Sequence, residues 1–445
     1  MSISDPAPEP NDTHDAYAAL RNRNFRLFVL SGFFKNSAQQ IQSVAVGWEV
    51  YHRTESAMNL GMTALVAAIP TLGLSLVAGH VADRFSRKSV MLVTWTISAL
   101  TTIALAALSY YGQGWSGWLW AVFGTLAINS TAMTFARPAR QSFLPRIVPS
   151  DDFTNAVTWS NSTQQMSTMI GPALGGLVLA IDLPLAYALA GVISLLSVLQ
   201  VWRIEFTHSP AIATPASDKR LRDLWHNLTA GVRFVWKSKL LLSAMTLDML
   251  AVLFGGATQL LPIFAKQLGL GPVGFGTLRA SQAVGACLMG IVLAHRRPMQ
   301  RAGRALLLAV AGFGVATIVF GLSRSYLLSL AMLGLIGALD NISVVIRHSL
   351  IQLLPGDHMR GRVSAVNQIF VGSSDQLGGV ESGLTAAAFG PVISVVGGGI
   401  ATILVVIGAA FTWPQLWNLG SLKDAGRSPV DNAVALPANV VIANT

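Results

Sequence analysis

Four ionisable residues, Lys35, Asp248, Asp340 and Asp375, stand inside long apolar runs. A charge there is costly, so such residues are functional candidates by default. The chemistry they offer is proton exchange. A carboxylate in an apolar cavity resists ionisation, and a nearby lysine favours it again. Opening toward one side changes solvation and therefore protonation. Asp248 leads as coupling residue, with Asp340 or Asp375 as runner-up. Lys35 lies about ten residues into its run, Asp248 about nine and Asp375 about twelve, and at about 1.5 Å per helical residue these depths are similar. The competing reading is a structural ion pair, such as Lys35 with Asp248 or Arg279 with Glu381.

The elements that must position these groups follow from composition. The chain has 445 residues, 52% hydrophobic and only 11% charged, with mean hydropathy +0.55. Soluble domains carry roughly 25% charge, so an ordinary soluble enzyme is excluded. A membrane span needs about 20 mainly apolar residues. Twelve runs qualify, near 25–51, 58–79, 89–110, 115–136, 153–180, 184–202, 239–264, 272–294, 304–322, 325–347, 363–388 and 391–413. The first, fifth and eleventh are interrupted by polar residues, which suits helices with a face turned to water or substrate. The expected fold is all-α and integral to the membrane, with twelve helices in two pseudo-symmetric six-helix bundles.

Charge placement predicts the topology. Twenty-five of the 30 Lys and Arg residues fall at one end of the spans and three at the other. By the positive-inside rule the first end is cytoplasmic, with both termini there. The net charge of +10 is spread over many short segments, which argues against nucleic-acid binding. The expected organisation is a tail over 1–24, a bundle over 25–202, a linker over 203–238, a second bundle over 239–413 and a tail over 414–445. Leu221, Leu224, Trp225, Leu228 and Val232 have helical spacing within the linker, with basic residues interleaved, and predict an amphipathic surface helix. The halves also echo each other. Arg140-Gln141-Ser142-Phe143 and Pro149-Ser150-Asp151 correspond to Arg347-His348-Ser349-Leu350 and Pro355-Gly356-Asp357. Repeated halves with a midplane site are a transporter design.

Two strings carry motif information. The first is Gly79-His80-Val81-Ala82-Asp83-Arg84-Phe85-Ser86-Arg87-Lys88, a tight turn between the second and third spans. Gly79 would permit close helix approach. Asp83 can accept from a helix N-terminus or pair with an arginine. The second is Gly171-Pro172-Ala173-Leu174-Gly175-Gly176 in the fifth span, where the proline bends the helix and the glycines allow tight packing.

The first string resembles the signature loop of the major facilitator superfamily, with Ser86 in place of the usual glycine. The resemblance implies that Asp83, framed by Arg84, Arg87 and Lys88, latches one conformational state. The corresponding second-half loop, His295 to Arg304, lacks the acid. The second string resembles the exporter motif of that superfamily, with Ser167 replacing an upstream glycine. Val46-Gly47-Trp48-Glu49-Val50-Tyr51, Arg137-Pro138-Ala139-Arg140, Leu247-Asp248 and Gly361-Arg362-Val363-Ser364-Ala365 are similar to the drug- and siderophore-exporter branch, from about residue 20 to 415. In that family the first and fourth spans of each half line the central path. This nominates Lys35, Gln39, Gln42, Asn129, Thr134, Asp248, Asp340 and Asn341, although helix-to-helix hydrogen bonding is an equal reading for any single amide.

The eight histidines lie in loops or at span ends, and no zinc, haem or phosphate-loop motif occurs. No metal, cofactor or enzymatic activity is therefore expected. The expected function is proton-coupled export of an amphipathic small molecule by alternating access, from a monomer in the bilayer of the cell inner membrane. A proton-coupled nutrient importer on the same scaffold is the alternative. A membrane protein without transport is a third reading.

Overall fold

The computed structural model describes residues 15, 17–205, 229–296 and 299–421. The linker positions Leu221, Leu224, Trp225 and Leu228 lie outside the described residues, and 229–237 are helical. Twelve long helices follow in order. The first six are α1 (Arg23–Thr54), α2 (Ala57–Arg84), α3 (Arg87–Tyr111), α4 (Trp118–Ile147), α5 (Phe153–Leu179) and α6 (Leu183–Trp202). The last six are α7 (Lys239–Phe254), α8 (Pro272–His295), α9 (Ala302–Leu322), α10 (Tyr326–Leu353), α11 (Asp357–Phe389) and α12 (Pro391–Thr412). The face bearing the short helices Ala18–Arg21 and Pro414–Trp417 is here called the terminal face, and the opposite one the distal face.

Local chemistry sets the helix ends. The Asn22 side chain accepts from the backbone N–H of Asn24 and Phe25, and its amide donates to Ile147 O at 3.0 Å, so one residue caps α1 and α4. Ser86, the departure from glycine in the turn motif, caps α3 by accepting from Ser89 N–H. Lys88 donates to the carbonyls of Trp202 (2.9 Å) and Ile204 (2.7 Å), which satisfies the end of α6. A glycine at φ 91°, Gly390, makes the turn from α11 to α12.

Among the described residues, nine spans are long and apolar enough to cross a membrane by length and composition. The other three long helices are α1, α5 and α11, the ones whose polar interruptions are visible in the sequence. In α1 the polar residues Ser31, Lys35, Ser37, Gln42 and Glu49 are buried against other helices. The seventh span departs from the continuous helix expected over 239–264. It breaks at Gly255-Gly256, passes through a 3-10 turn at Ala257–Leu260, and resumes at Leu261–Gln267. Two glycines weaken the helix there, and Pro262 removes a donor one turn later.

The packing repeats with a period of six helices. α1 packs on α5 and α6, α2 on α4, and α3 on α4 and α6. In the same way α7 packs on α11 and α12, α8 on α10, and α9 on α10 and α12. The sets meet through α2 with α11 and through α5 with α8, a pair of contacts exchanged by the same repeat. The apolar core divides accordingly. One cluster, with Val44, Leu105, Tyr187, Phe264, Phe275 and Phe320, draws on helices of both sets at the distal side. Toward the terminal face it splits in two. One cluster, around Phe28, Trp95 and Phe143, draws on the first set alone. The other, around Leu247, Leu306 and Leu350, draws on the second alone. The sets are therefore joined distally and separate toward the terminal face.

Glycines set the distal seam. A Cβ on Gly61 of α2 would lie 2.9 Å from Gly383 Cα of α11, and one on Gly176 of α5 would lie 2.8 Å from Gly276 Cα of α8. No side chain fits without moving a backbone. Gly176→Val is expected to wedge α5 from α8. A spin-label pair replacing Glu55 and Lys266, which lie 2.5 Å apart as a distal ion pair, should then read a longer distance. An unchanged distance would count against the wedge.

Candidate functional site: a polar cavity between the halves

A cavity of about 530 Å³ lies between the two sets of helices. α1 contributes Gln39, Gln42 and Ser43, and α4 contributes Asn129, Thr134 and Arg137. The broken span adds Thr258 and Gln259, α8 adds Arg279 and Gln282, and α10 and α11 add Asp340 and Asp375. The distal roof is closed. Gly47 touches Pro262 and Phe275, Trp48 stacks on Phe275 with centroids 5.7 Å apart, and Gln259 Nε2 donates to Leu60 O and Thr63 Oγ1. At the terminal side a hydrogen bond across the gap joins two exposed amides, Gln141 Nε2 and Gln368 Oε1, at 3.5 Å. The cavity thus faces the terminal side.

The carboxylates separate into two environments. Asp340 and Asp375 both line the cavity, and each lies about 21 Å along its helix from the distal end. Asp375 is the charge acting on Asp340, and Arg137 and Arg347 are the cations acting on Asp375. Asp248 is placed elsewhere. It is 4% exposed, pairs with the buried Arg347 of α10, accepts from Ser343 Oγ at 3.2 Å, and does not line the cavity. The suggested Lys35–Asp248 pair is not formed. Lys35 donates to Ser98 Oγ (2.5 Å) and Ser194 Oγ (3.1 Å), deep in the first set. It reaches the cavity wall only through Ser98, which donates to Asn129 Oδ1 at 2.5 Å. Nor does Arg279 pair with Glu381. Arg279 Nη2 donates to Ser43 Oγ at 3.0 Å, and Glu381 accepts from Ser382. Glu49, at the distal edge, is held by Arg53 at 2.9 Å and by Tyr187 OH at 2.7 Å.

The nominated amides divide similarly. Gln39, Gln42 and Asn129 line the cavity, and Gln42 Oε1 also accepts from Thr102 Oγ1 at 2.9 Å. Asn341 does not line it and sits near Gly290 of α8. Asn341 is rotated about 100° from Asp340 on α10, and in this structure that rotation takes it out of the cavity wall. Arg137, Gln259 and Gln282 of the cavity wall, and Arg347 behind it, are not singled out as site residues by the sequence. Arg137 and Arg347 stand near span ends and read as topology charges. The Gly255-Gly256 pair was the available signal for Gln259, because broken spans expose side chains at transport sites.

The motif residues are placed as follows. Gly171 packs on Gln40 and Ser37 O of α1, Gly175 on Ile41 and Val44 of α1, and Pro172 O touches Gly276. The span-five motif therefore binds α5 to both sets at once. Gly79 departs from expectation, because a Cβ there would meet nothing within 4 Å. The terminal halves stand apart, so nothing approaches it in this conformation. The backbone of Asp83 lies in the last turn of α2, while its side chain falls outside the described residues. The Arg84 guanidinium lies over the Phe85 ring, 6.0 Å from its centroid. Arg87 opens α3. On the distal face Lys266 holds the exposed Glu55 carboxyl below the usual carboxylate range. That pair helps at pH above the ordinary glutamate value and weakens as pH falls through the lowered one.

A family model described as transmembrane secretion effector matches residues 14–434. The chain belongs to this family of the major facilitator superfamily. Enterobactin exporters of Escherichia coli O1:K1 and Shigella boydii serotype 18 are each 25% identical to it over 393 residues, covering 86% of this chain and 89% of the relative. Among solved structures, a bacterial homologue of the human lysosomal transporter Spinster superposes with TM-score 0.68 at 14% identity, covering 92% of this chain and 99% of that one. A D-xylose–proton symporter superposes with TM-score 0.66 at 10% identity, covering 91% and 100%. These two establish the fold alone. The secretion-effector chain is thus a multi-pass membrane transporter of the major facilitator fold and not an enzyme.

Proposed function

We infer that the chain is a proton-coupled exporter of amphipathic small molecules, working by alternating access between two six-helix halves, 25–202 and 239–413. The observation that carries this reading is the cavity between the halves, closed distally and holding two carboxylates, Asp340 and Asp375, at one depth. Positive-inside bookkeeping makes the terminal face cytoplasmic, with both tails there. The chain would then take its cargo from the cytoplasm in the conformation described. Rocking the halves would open the distal seam and close the terminal one. The curated relatives are named enterobactin exporters, which supports efflux over import and a siderophore-like or drug-like cargo. The cavity is lined by helices of one chain, so a monomer suffices.

Asp340 and Asp375 are the better proton carriers, because they line the path while Asp248 is paired behind it. The latch assigned to Asp83 would act in the opposite conformation, where the space beside Gly79 closes. Asp83→Ala is therefore expected to slow transport severalfold while leaving insertion and the distal ion pair intact. Wild-type rates in that variant would remove the latch. The test of the whole reading is uptake of a panel of fluorescent amphiphiles into inside-out vesicles under an imposed pH gradient. Movement that collapses with the gradient supports proton coupling. Movement of no compound would refute transport by this chain.

A further inference from the structure

Arg279 is a cation in the cavity wall that the proton-coupling chemistry leaves unused. It lies on α8 about 10 Å along the helix from its distal end. Its guanidinium offers five N–H donors, and among the described residues its hydrogen-bond partner is one hydroxyl, Ser43 Oγ of α1 at 3.0 Å. The ion pairs among the described residues do not include it. The other inward cations differ. Arg347 has Asp248, Arg53 has Glu49, Lys35 is bonded to two serines away from the cavity, and Arg137 stands past the middle of α4 toward the terminal mouth. A guanidinium without a counter-ion inside the membrane is costly to hold and marks a functional site. Its free donors face a space large enough for an organic molecule. A planar fork of N–H groups fits a carboxylate or sulfonate with two parallel bonds.

Position adds a second argument. Ser43 lies one turn below Gly47 on α1, and Arg279 lies one turn below Phe275 on α8. Gly47, Trp48 and Phe275 form the distal roof. The Ser43–Arg279 bond therefore crosses between the halves directly beneath the closed seam. Separating α1 from α8 breaks that bond and admits water to the guanidinium. Resting on the exporter reading above, we propose that Arg279 is the anion-recognising subsite, and that the cargo is an organic anion bearing a carboxylate or sulfonate on an apolar body. The anion enters from the terminal side, docks on Arg279 at the blind end of the cavity, and is hydrated and released when the roof opens.

The test uses two dyes of nearly the same apolar frame, 1-anilinonaphthalene-8-sulfonate and the uncharged N-phenyl-1-naphthylamine. Binding is measured by fluorescence on purified full-length protein in nanodiscs, against empty nanodiscs. Wild type should bind the sulfonate at least about tenfold tighter than the neutral dye. Arg279→Gln, which can still bond Ser43, should lose about that factor for the sulfonate and stay within about twofold for the neutral dye. Arg279→Lys, which keeps charge without the fork, should fall between them. Thermal unfolding of each variant near wild type establishes that the change is local. Equal binding of both dyes by wild type, no sulfonate binding, or equal losses for both dyes in Arg279→Gln would each overturn the subsite. The same dyes in inside-out vesicles separate the two ideas. Sulfonate that binds as expected but is never moved leaves the subsite standing and refutes export. Gradient-driven movement of the neutral dye with no effect of Arg279→Gln on sulfonate binding refutes the subsite and leaves export standing.

Discussion

Arg347→Leu is expected to lower the stability of the protein by about 3–5 kcal/mol, the usual result of removing one partner from a buried ion pair. Arg347 is 3% exposed and Asp248 4% exposed, and the pair joins α10 to α7. Deleting the guanidinium leaves the Asp248 carboxylate with the Ser343 hydroxyl alone. The check is the midpoint of thermal unfolding in detergent, followed by the double variant Arg347→Leu with Asp248→Leu. The double variant removes both charges and should regain most of the loss, because apolar replacement of a buried pair is often close to neutral. The same experiment fixes the role of Asp248. A folded double variant that still moves substrate under a pH gradient makes the pair structural. Loss of gradient dependence with retained substrate binding in the single variant Asp248→Asn, which leaves Arg347 in place, would return Asp248 to the coupling machinery.

Asp375→Asn is expected to reduce gradient-driven transport by about tenfold or more while leaving substrate binding nearly unchanged, a loss of at least about 1.4 kcal/mol in the coupled step. Asp340→Asn should behave similarly. The two carboxylates share a depth and line one cavity, so a proton taken by either lowers the negative charge there. An amide keeps the size and hydrogen bonding of the carboxylic acid but cannot release a proton. Both variants should therefore exchange substrate at equilibrium yet fail to concentrate it. The measurement is counterflow against pH-driven accumulation in the same proteoliposomes. Full accumulation in both single variants would remove these residues from coupling. An effect in one alone would assign the proton to it.

Much of the architecture was legible without coordinates. Lipid supplies no hydrogen bonds, so every span must be a helix of about 20 apolar residues, and the twelve runs can be counted directly. Polar interruptions in the first and eleventh runs marked helices that line the cavity, and the fifth interrupted run packs between α1 and α8 without lining it. The span-five glycines announced close packing, and Gly171, Gly175 and Gly176 deliver it against α1 and α8. The glycine pair at Gly255-Gly256 was equally visible, but its consequence was not. Whether two glycines kink a helix or merely pack it depends on what stands opposite, here Gly378 and Ser382 of α11.

The sequence alone determined the number of helices, the order of the halves and the short list of ionisable residues inside them. These depend on local composition and on the thickness of the membrane. Only the tertiary structure decided which of those residues share the cavity. A rotation of about 100° separates each residue from the next, so helix boundaries uncertain by a few residues leave the facing direction open. That rotation turns Asp340 into the cavity and Asn341 toward α8. Pairing is less local still. Asp248 and Arg347 lie on different helices, ninety-nine residues apart, and Ser43 and Arg279 belong to different halves. Their meeting is set by how the helices pack, and no spacing along the chain encodes it.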